Sequence, residues 1–159
     1  MTAVSEGASK RSNSEAARIA IVTGVWHAAI SEGLLAGATS VLQETGCHFE
    51  AFHVASSFDL PVVTQAVLET NWDAAVVLGV IIRGKSAHFD RLSHAVTSGL
   101  SDVALRTKKP VGFGLLMVDD EAQGLDRAGL KHSKEDRGRE AAEWALEATL
   151  LLRRIRIPS

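Results

Sequence analysis

Four short apolar runs punctuate the chain, and longer stretches with a helical repeat separate them. The first run is RIAIVTGVW at 18–26, the third AAVVLGVII at 74–82 and the fourth PVGFGLLMV at 110–118. Unbroken Val, Ile and Leu at this length suit strands covered on both faces, the pattern of a parallel sheet. The second run, HFEAFHVA at 48–55, alternates in part, which places it nearer a sheet edge.

Helical signals fill the gaps. Ile30, Leu34, Ala38, Val41 and Leu42 follow one stripe, and Gly46 stops it. Pro61 opens a second helix, near the first position where its missing N–H costs nothing, with Val63, Ala66 and Val67 on one face. Leu92, Val96, Leu100, Val103 and Ala104 line a third, which starts between His88 and Asp90. EAQGLDRAGL, 121–130, reads as a short fourth helix. A last one runs from about Glu135 to Arg154, turning Ala142, Ala145, Leu146, Thr149 and Leu150 inward. Strict alternation of strand and helix requires right-handed crossovers and predicts a doubly wound α/β sheet. Ligands of such sheets sit beyond the carboxyl ends of the strands. The polar residues fall there: Trp26-His27, Ser56-Ser57-Phe58-Asp59, Arg83 to Asp90, and the end of the fourth strand near Asp119.

Composition narrows the class. A chain of 159 residues, 46% hydrophobic and 23% charged, fits one soluble domain with a single core. A net charge of −2 gives no reason to expect nucleic acid or a membrane surface as partner. One cysteine, Cys47, cannot form an internal disulfide, so a reducing, cytoplasmic setting is expected. No apolar run approaches the roughly 18 residues of a membrane helix. The segment MTAVSEGASKRSNSEAA lacks the apolar centre of a secretory signal. It reads as a disordered tail over 1–17, leaving 18–159 as the single domain.

The loop after the third strand carries the most chemistry. Gly84 permits close backbone approach, Lys85 supplies a point charge, and Ser86 a hydroxyl, just before a helix N-terminus with free N–H donors. That is a workable anion cradle, without the Gly and Lys-Ser/Thr spacing of a Walker loop. Spacing alone leaves a capped helix with solvated charges equally open. His88 is a candidate for proton transfer near neutral pH. Its spacing to Asp90 and His94 lacks the i, i+4 histidine pair of a helical zinc site, so no metal is expected. Trp26, Phe58 and Phe113 each read either as core-edge aromatics or as surfaces for a flat ring. Asp59 reads either as a helix cap or as a ligand group, and Arg127 either as a surface ion pair or as a phosphate contact.

The combination GVIIRGKSAHFD, then PVGFGLLMVDDEAQGLDRAG, then a closing helix after EDRG, resembles the lumazine synthase (6,7-dimethyl-8-ribityllumazine synthase) family. WHAAISEGLLAGA and LDRAGLKHSKEDRG bring it nearest the actinobacterial branch. The resemblance spans about Arg18 to Arg156. It implies a flavodoxin-like three-layer sandwich with a four-stranded parallel sheet. It also implies a homopentamer, in some members assembled into a decamer or an icosahedral shell, with active sites between neighbouring subunits. Riboflavin synthase is a further candidate partner. The implied reaction condenses 5-amino-6-(D-ribitylamino)uracil with 3,4-dihydroxy-2-butanone 4-phosphate, a transferase step of riboflavin biosynthesis needing no metal or organic cofactor. Trp26, Ser57, Phe58, Asp59 and Phe113, with the backbone of Val80, Ile81 and Ile82, match the ribitylaminouracil contacts. Lys85, Ser86 and Arg127 match the phosphate site, and His88 the proton donor.

The chain departs from the family pattern in places. Val54-Ala55-Ser56-Ser57-Phe58-Asp59-Leu60-Pro61 stands where the family usually has Val-Pro-Gly-Ala-Phe-Glu-Ile-Pro. Met117 and Val118 replace two threonines, and Arg137-Gly138 replaces Lys-Gly. Lys85 adds a cation. Two expectations therefore stand: an active synthase, or a non-catalytic homologue that binds riboflavin or another ribityl ligand, or serves as an oligomeric scaffold.

Overall fold

A computed structural model describes residues 15–158. Strands β1 (Arg18–Gly24), β2 (His48–Val54), β3 (Ala74–Ile82) and β4 (Val111–Val118) are all parallel, in the order β2-β1-β3-β4. Helices α1 (Ala28–Glu44), α2 (Leu60–Leu68), α3 (Phe89–Thr107), α4 (Glu121–Asp126) and α5 (Arg137–Arg156) connect and cover them. This is the doubly wound sheet that the alternating pattern predicts and the flavodoxin-like sandwich that the resemblance implies.

Two cores flank the sheet because each strand buries alternate residues on opposite faces. Ile19, Ile21, Val76, Leu78 and Val80 pack against Ile30, Leu34 and Ala38 of α1 and Ala141, Ala142 and Ala145 of α5. Ala20, Val22, Val77 and Leu115 pack against Leu60 and Val67 of α2 and Val96 and Leu100 of α3. β3 lies between β1 and β4 and buries every residue but its last. The partly alternating β2 is an edge strand, as its pattern predicts. So is β4, although its sequence reads as central: helices cover both of its faces, and burial on two faces is what an apolar run reports.

Close helix packing depends on small residues. A Cβ at Gly138 would meet the backbone carbonyl of Leu34 in α1, and one at Gly112 would meet that of Ala141 in α5. These two glycines let α5 lie flat against α1 and β4 together.

Several element details differ from the sequence reading. Helix α2 starts at Leu60, so its buried face is Leu60, Thr64, Val67 and Leu68, and Ala66 is exposed. In α5 the buried stripe is Gly138, Ala141, Ala142, Ala145 and Thr149; Leu150, one position off it, is 50% exposed. The fourth helix ends at Asp126, because Gly129 takes a left-handed turn (φ 69°) and Ala128 bridges to Asp136. The Asp136 side chain then accepts from the Arg139 N–H (3.0 Å) and starts α5 at Arg137. Residues 1–14 of the expected tail lie outside the described residues, while Ala17 is buried and its carbonyl accepts from the His48 N–H at 3.0 Å. No helix among the described residues is long and apolar enough to cross a membrane.

Candidate active site

The strands differ in length at their carboxyl ends, and that difference creates a ledge. Pairing of β3 with β1 stops at Leu78, whereas pairing with β4 continues to Ile82. Gly79 to Ile82 therefore project past β1 with a neighbour on one side only. Trp26 folds across this ledge. Its indole N–H donates to the Val80 carbonyl at 2.6 Å, and its ring lies against Gly24 and Gly79. Any side chain at Gly24 would occupy the ring's space, so the glycine makes the approach possible. The half-buried Trp26 packs on both cores and also forms the wall of the ledge.

The loop Arg83 to His88 continues from the ledge. Gly84 has φ 51°, a left-handed conformation that suits glycine. The Ser86 hydroxyl oxygen accepts from the His88 N–H (3.1 Å), which leaves its own O–H free to donate. His88 occupies the cap position of α3 with an exposed imidazole, and Lys85 is exposed beside it. Arg83 behaves differently from the other cations here. Its Nε donates to Asp119 Oδ1 at 2.9 Å, its Nη1 lies 3.5 Å from Asp90 Oδ1, and its guanidinium stacks 4.5 Å over the Phe89 ring.

The segment after β2 forms a short 3₁₀ turn, Ser57–Asp59, capped by Ser56, whose hydroxyl accepts from the Phe58 N–H. Phe58 is 68% exposed, so it contributes little to the core. Asp59 sits at the cap position of α2 yet makes no capping hydrogen bond. Its carboxylate is therefore not accounted for by local structure. Phe58 and Asp59 border an apolar groove with Pro61, Val62, Val96 and Gly99.

Phe113 and Arg127 share a separate cavity of about 220 Å³ at the free edge of β4. Neither Trp26, Asp59, Lys85, Ser86 nor His88 lines it. Arg137 and Trp144 complete its wall; the sequence reading gave neither a role. Their signal was periodic: Arg137, Ala141 and Trp144 recur on one side of α5. Glu135 lies between the two arginines, 3.0 Å from Arg137 Nε and 4.0 Å from Arg127 Nε. The candidate residues thus form two groups. One combines a flat aromatic wall, open backbone, a hydroxyl donor, an imidazole and a cation. The other combines an aromatic ring with two guanidinium groups suited to an anion.

Among the described residues, Asp119 is the one carboxyl at this end with a shifted pKa, held below the usual aspartate value by hydrogen bonds from Arg83 and Gln123. Among the described residues no cluster of three or more His, Cys, Asp or Glu side chains is arranged to hold a metal ion.

Residues 16–153 match the family described as 6,7-dimethyl-8-ribityllumazine synthase. The chain is 52% identical over 150 residues to the 6,7-dimethyl-8-ribityllumazine synthase of Leifsonia xyli subsp. xyli, covering 94% of this chain and 95% of that one. It is 56% identical over 138 residues to the protein of the same name from Clavibacter sepedonicus, covering 87% and 86%. With the one from Cutibacterium acnes it shares 52% over 134 residues, covering 84% and 80%. The match contains all four strands and every site residue named above, and the chain belongs to the 6,7-dimethyl-8-ribityllumazine synthase family.

Proposed function

We propose that the chain is an active 6,7-dimethyl-8-ribityllumazine synthase, a transferase of riboflavin biosynthesis. It condenses 5-amino-6-(D-ribitylamino)uracil with 3,4-dihydroxy-2-butanone 4-phosphate. The observation that carries this reading is identity above 50% to synthases along most of the chain.

The ledge suits a flat pyrimidine: Trp26 offers a ring face there, the β3 backbone from Val80 to Ile82 offers directional hydrogen bonds, and Phe113 offers a second ring face from the β4-edge cavity. Ser57, Phe58 and Asp59 contact the ribitylaminouracil. Lys85, Ser86 and Arg127 hold the phosphate, with the N-terminus of α3 adding its partial charge. The amine attacks the ketone to give a carbinolamine, which loses water to a Schiff base. Inorganic phosphate then leaves, and the carbonyl so formed closes the second ring with loss of a second water. His88 moves protons in these steps. The groups that bind phosphate also stabilise its charge as it departs. None of this requires a metal or organic cofactor.

We further infer that each site is shared between two copies of the chain, one giving Trp26, Asp59 and His88, the next giving Phe113 and Arg127. Support comes from the cavity at the β4 edge, which is separate from the His88 loop and opens on an unpaired strand. A ring of copies would cover that edge, and the pentamer is the form the family resemblance favours. The single cysteine suits a cytoplasmic setting.

Mixing the purified protein with both substrates should generate lumazine fluorescence and release one phosphate per turnover. Tight riboflavin binding without product would instead select the non-catalytic reading, which the Ser56-Ser57-Phe58-Asp59 segment motivates.

A further inference from the structure

We propose that Arg83 is a positioning residue that fixes the anion loop through Asp119, and is not itself a phosphate ligand. A cation beside Gly84, Lys85 and Ser86 invites the opposite reading. The geometry argues otherwise. The guanidinium is already held between two carboxylates, Asp119 at 2.9 Å and Asp90 at 3.5 Å, and sits over the Phe89 ring. Its backbone repeats the link: the Arg83 N–H donates to the Val118 carbonyl at 2.8 Å and the Gly84 N–H to that of Asp119 at 3.4 Å. Gln123 Oε1 accepts from the Asp119 N–H at 2.8 Å, which ties the same carboxylate residue to α4.

The consequence is a clamp joining four elements. β3 enters it, α3 leaves it, β4 ends in it, and α4 begins beside it. Lys85, Ser86 and His88 lie in the segment it closes. The Ser86 N–H donates to the Arg83 carbonyl at 3.1 Å, so displacement of Arg83 moves the hydroxyl that donates to phosphate. Exposed ion pairs add little to global stability. Breaking this one therefore loosens the loop without unfolding the chain. Hydrogen bonds from Arg83 and Gln123 lower the Asp119 pKa, so the clamp survives below the usual aspartate range and is lost only as pH falls through that lowered value.

The test is a double-mutant cycle with Arg83→Met, Asp119→Ala, both together, and Arg83→Lys. Amide exchange across residues 84–88 reads loop order, and KM for the phosphate substrate reads function. Either single change should speed exchange and raise KM by roughly 10-fold, a misplacement well under an ångström. The double variant should be no worse than the worse single, because both remove one device. Arg83→Lys should recover part of the loss. Multiplied effects in the double variant would make Arg83 a direct ligand and overturn the proposal, as would an Asp119→Ala variant with wild-type exchange and KM. The KM arm rests on the synthase reading, but the exchange arm does not. If the wild-type protein makes no lumazine, that reading fails, and exchange alone decides the clamp.

Discussion

Asp59 separates structural from functional use most cleanly among the single residues. Its position in the chain is that of a helix cap, one of the two roles its sequence context leaves open. In the structure its carboxylate caps nothing. A working cap is worth about 1 kcal/mol, whereas an exposed side chain without partners is worth about 0.5 kcal/mol or less. Asp59→Ala should therefore leave the urea midpoint nearly unchanged while raising KM for the ribitylaminouracil roughly 10-fold, by loss of a contact of hydrogen-bond strength. A loss of about 1 kcal/mol in stability with KM unmoved would return Asp59 to capping. The same contrast explains what the sequence could and could not show at this scale. Ser86 and His88 were legible because a strand end followed by a helix start fixes where they lie. Arg83 was not, because its partners, Asp119 and Asp90, are set by strand pairing and helix phase and not by neighbours in the chain.

At the scale of elements, the strands were legible nearly residue by residue, since burial on two faces writes an unbroken apolar run. Position in the sheet was less so: β4 reads like β3 but lies at an edge, and helix phase in α2 and α5 needed a start point that the sequence left one or two residues adrift. Gly138 tests how tightly the layers are fitted. Replacing glycine by alanine inside a helix gains up to about 1 kcal/mol in propensity. Here the new methyl meets the Leu34 carbonyl, part of a backbone that cannot step aside. Overpacking of that kind costs about 1–3 kcal/mol, so the net effect is destabilising. Gly138→Ala should lower the urea midpoint, with the cost read as a reduced unfolding free energy at unchanged m-value. A stabilised variant would mean that α5 and α1 stand further apart than described. Because α5 carries Arg137 and Trp144 to the β4 cavity, the same substitution should also weaken binding there.

For the whole molecule the question is why the candidate residues form two groups. An edge strand with aromatic and cationic residues along it, and a ledge with an imidazole but no second aromatic wall, are each half of a site. Two half-sites on one chain complete each other when copies join head to tail, and such contacts close into rings. Light scattering should accordingly give a multiple of the 16.9 kDa chain mass. A sharper consequence concerns complementation. His88→Ala should slow the reaction by about 10²–10⁴-fold, the usual range for a proton-transfer group, and Arg127→Ala should weaken phosphate binding, so homomers of either are poor enzymes. Co-refolded in equal amounts, they place an intact His88 opposite an intact Arg127 at about one interface in four, because a heterologous ring draws each half of a site from a different copy. Activity should return towards about one quarter of wild type, an amount far above either parent. If His88 and Arg127 instead served a site within one chain, every site in the mixture would lack one of them, and mixing would restore nothing. The recovered rate therefore decides between a shared site and a private one without any knowledge of how many copies make the ring.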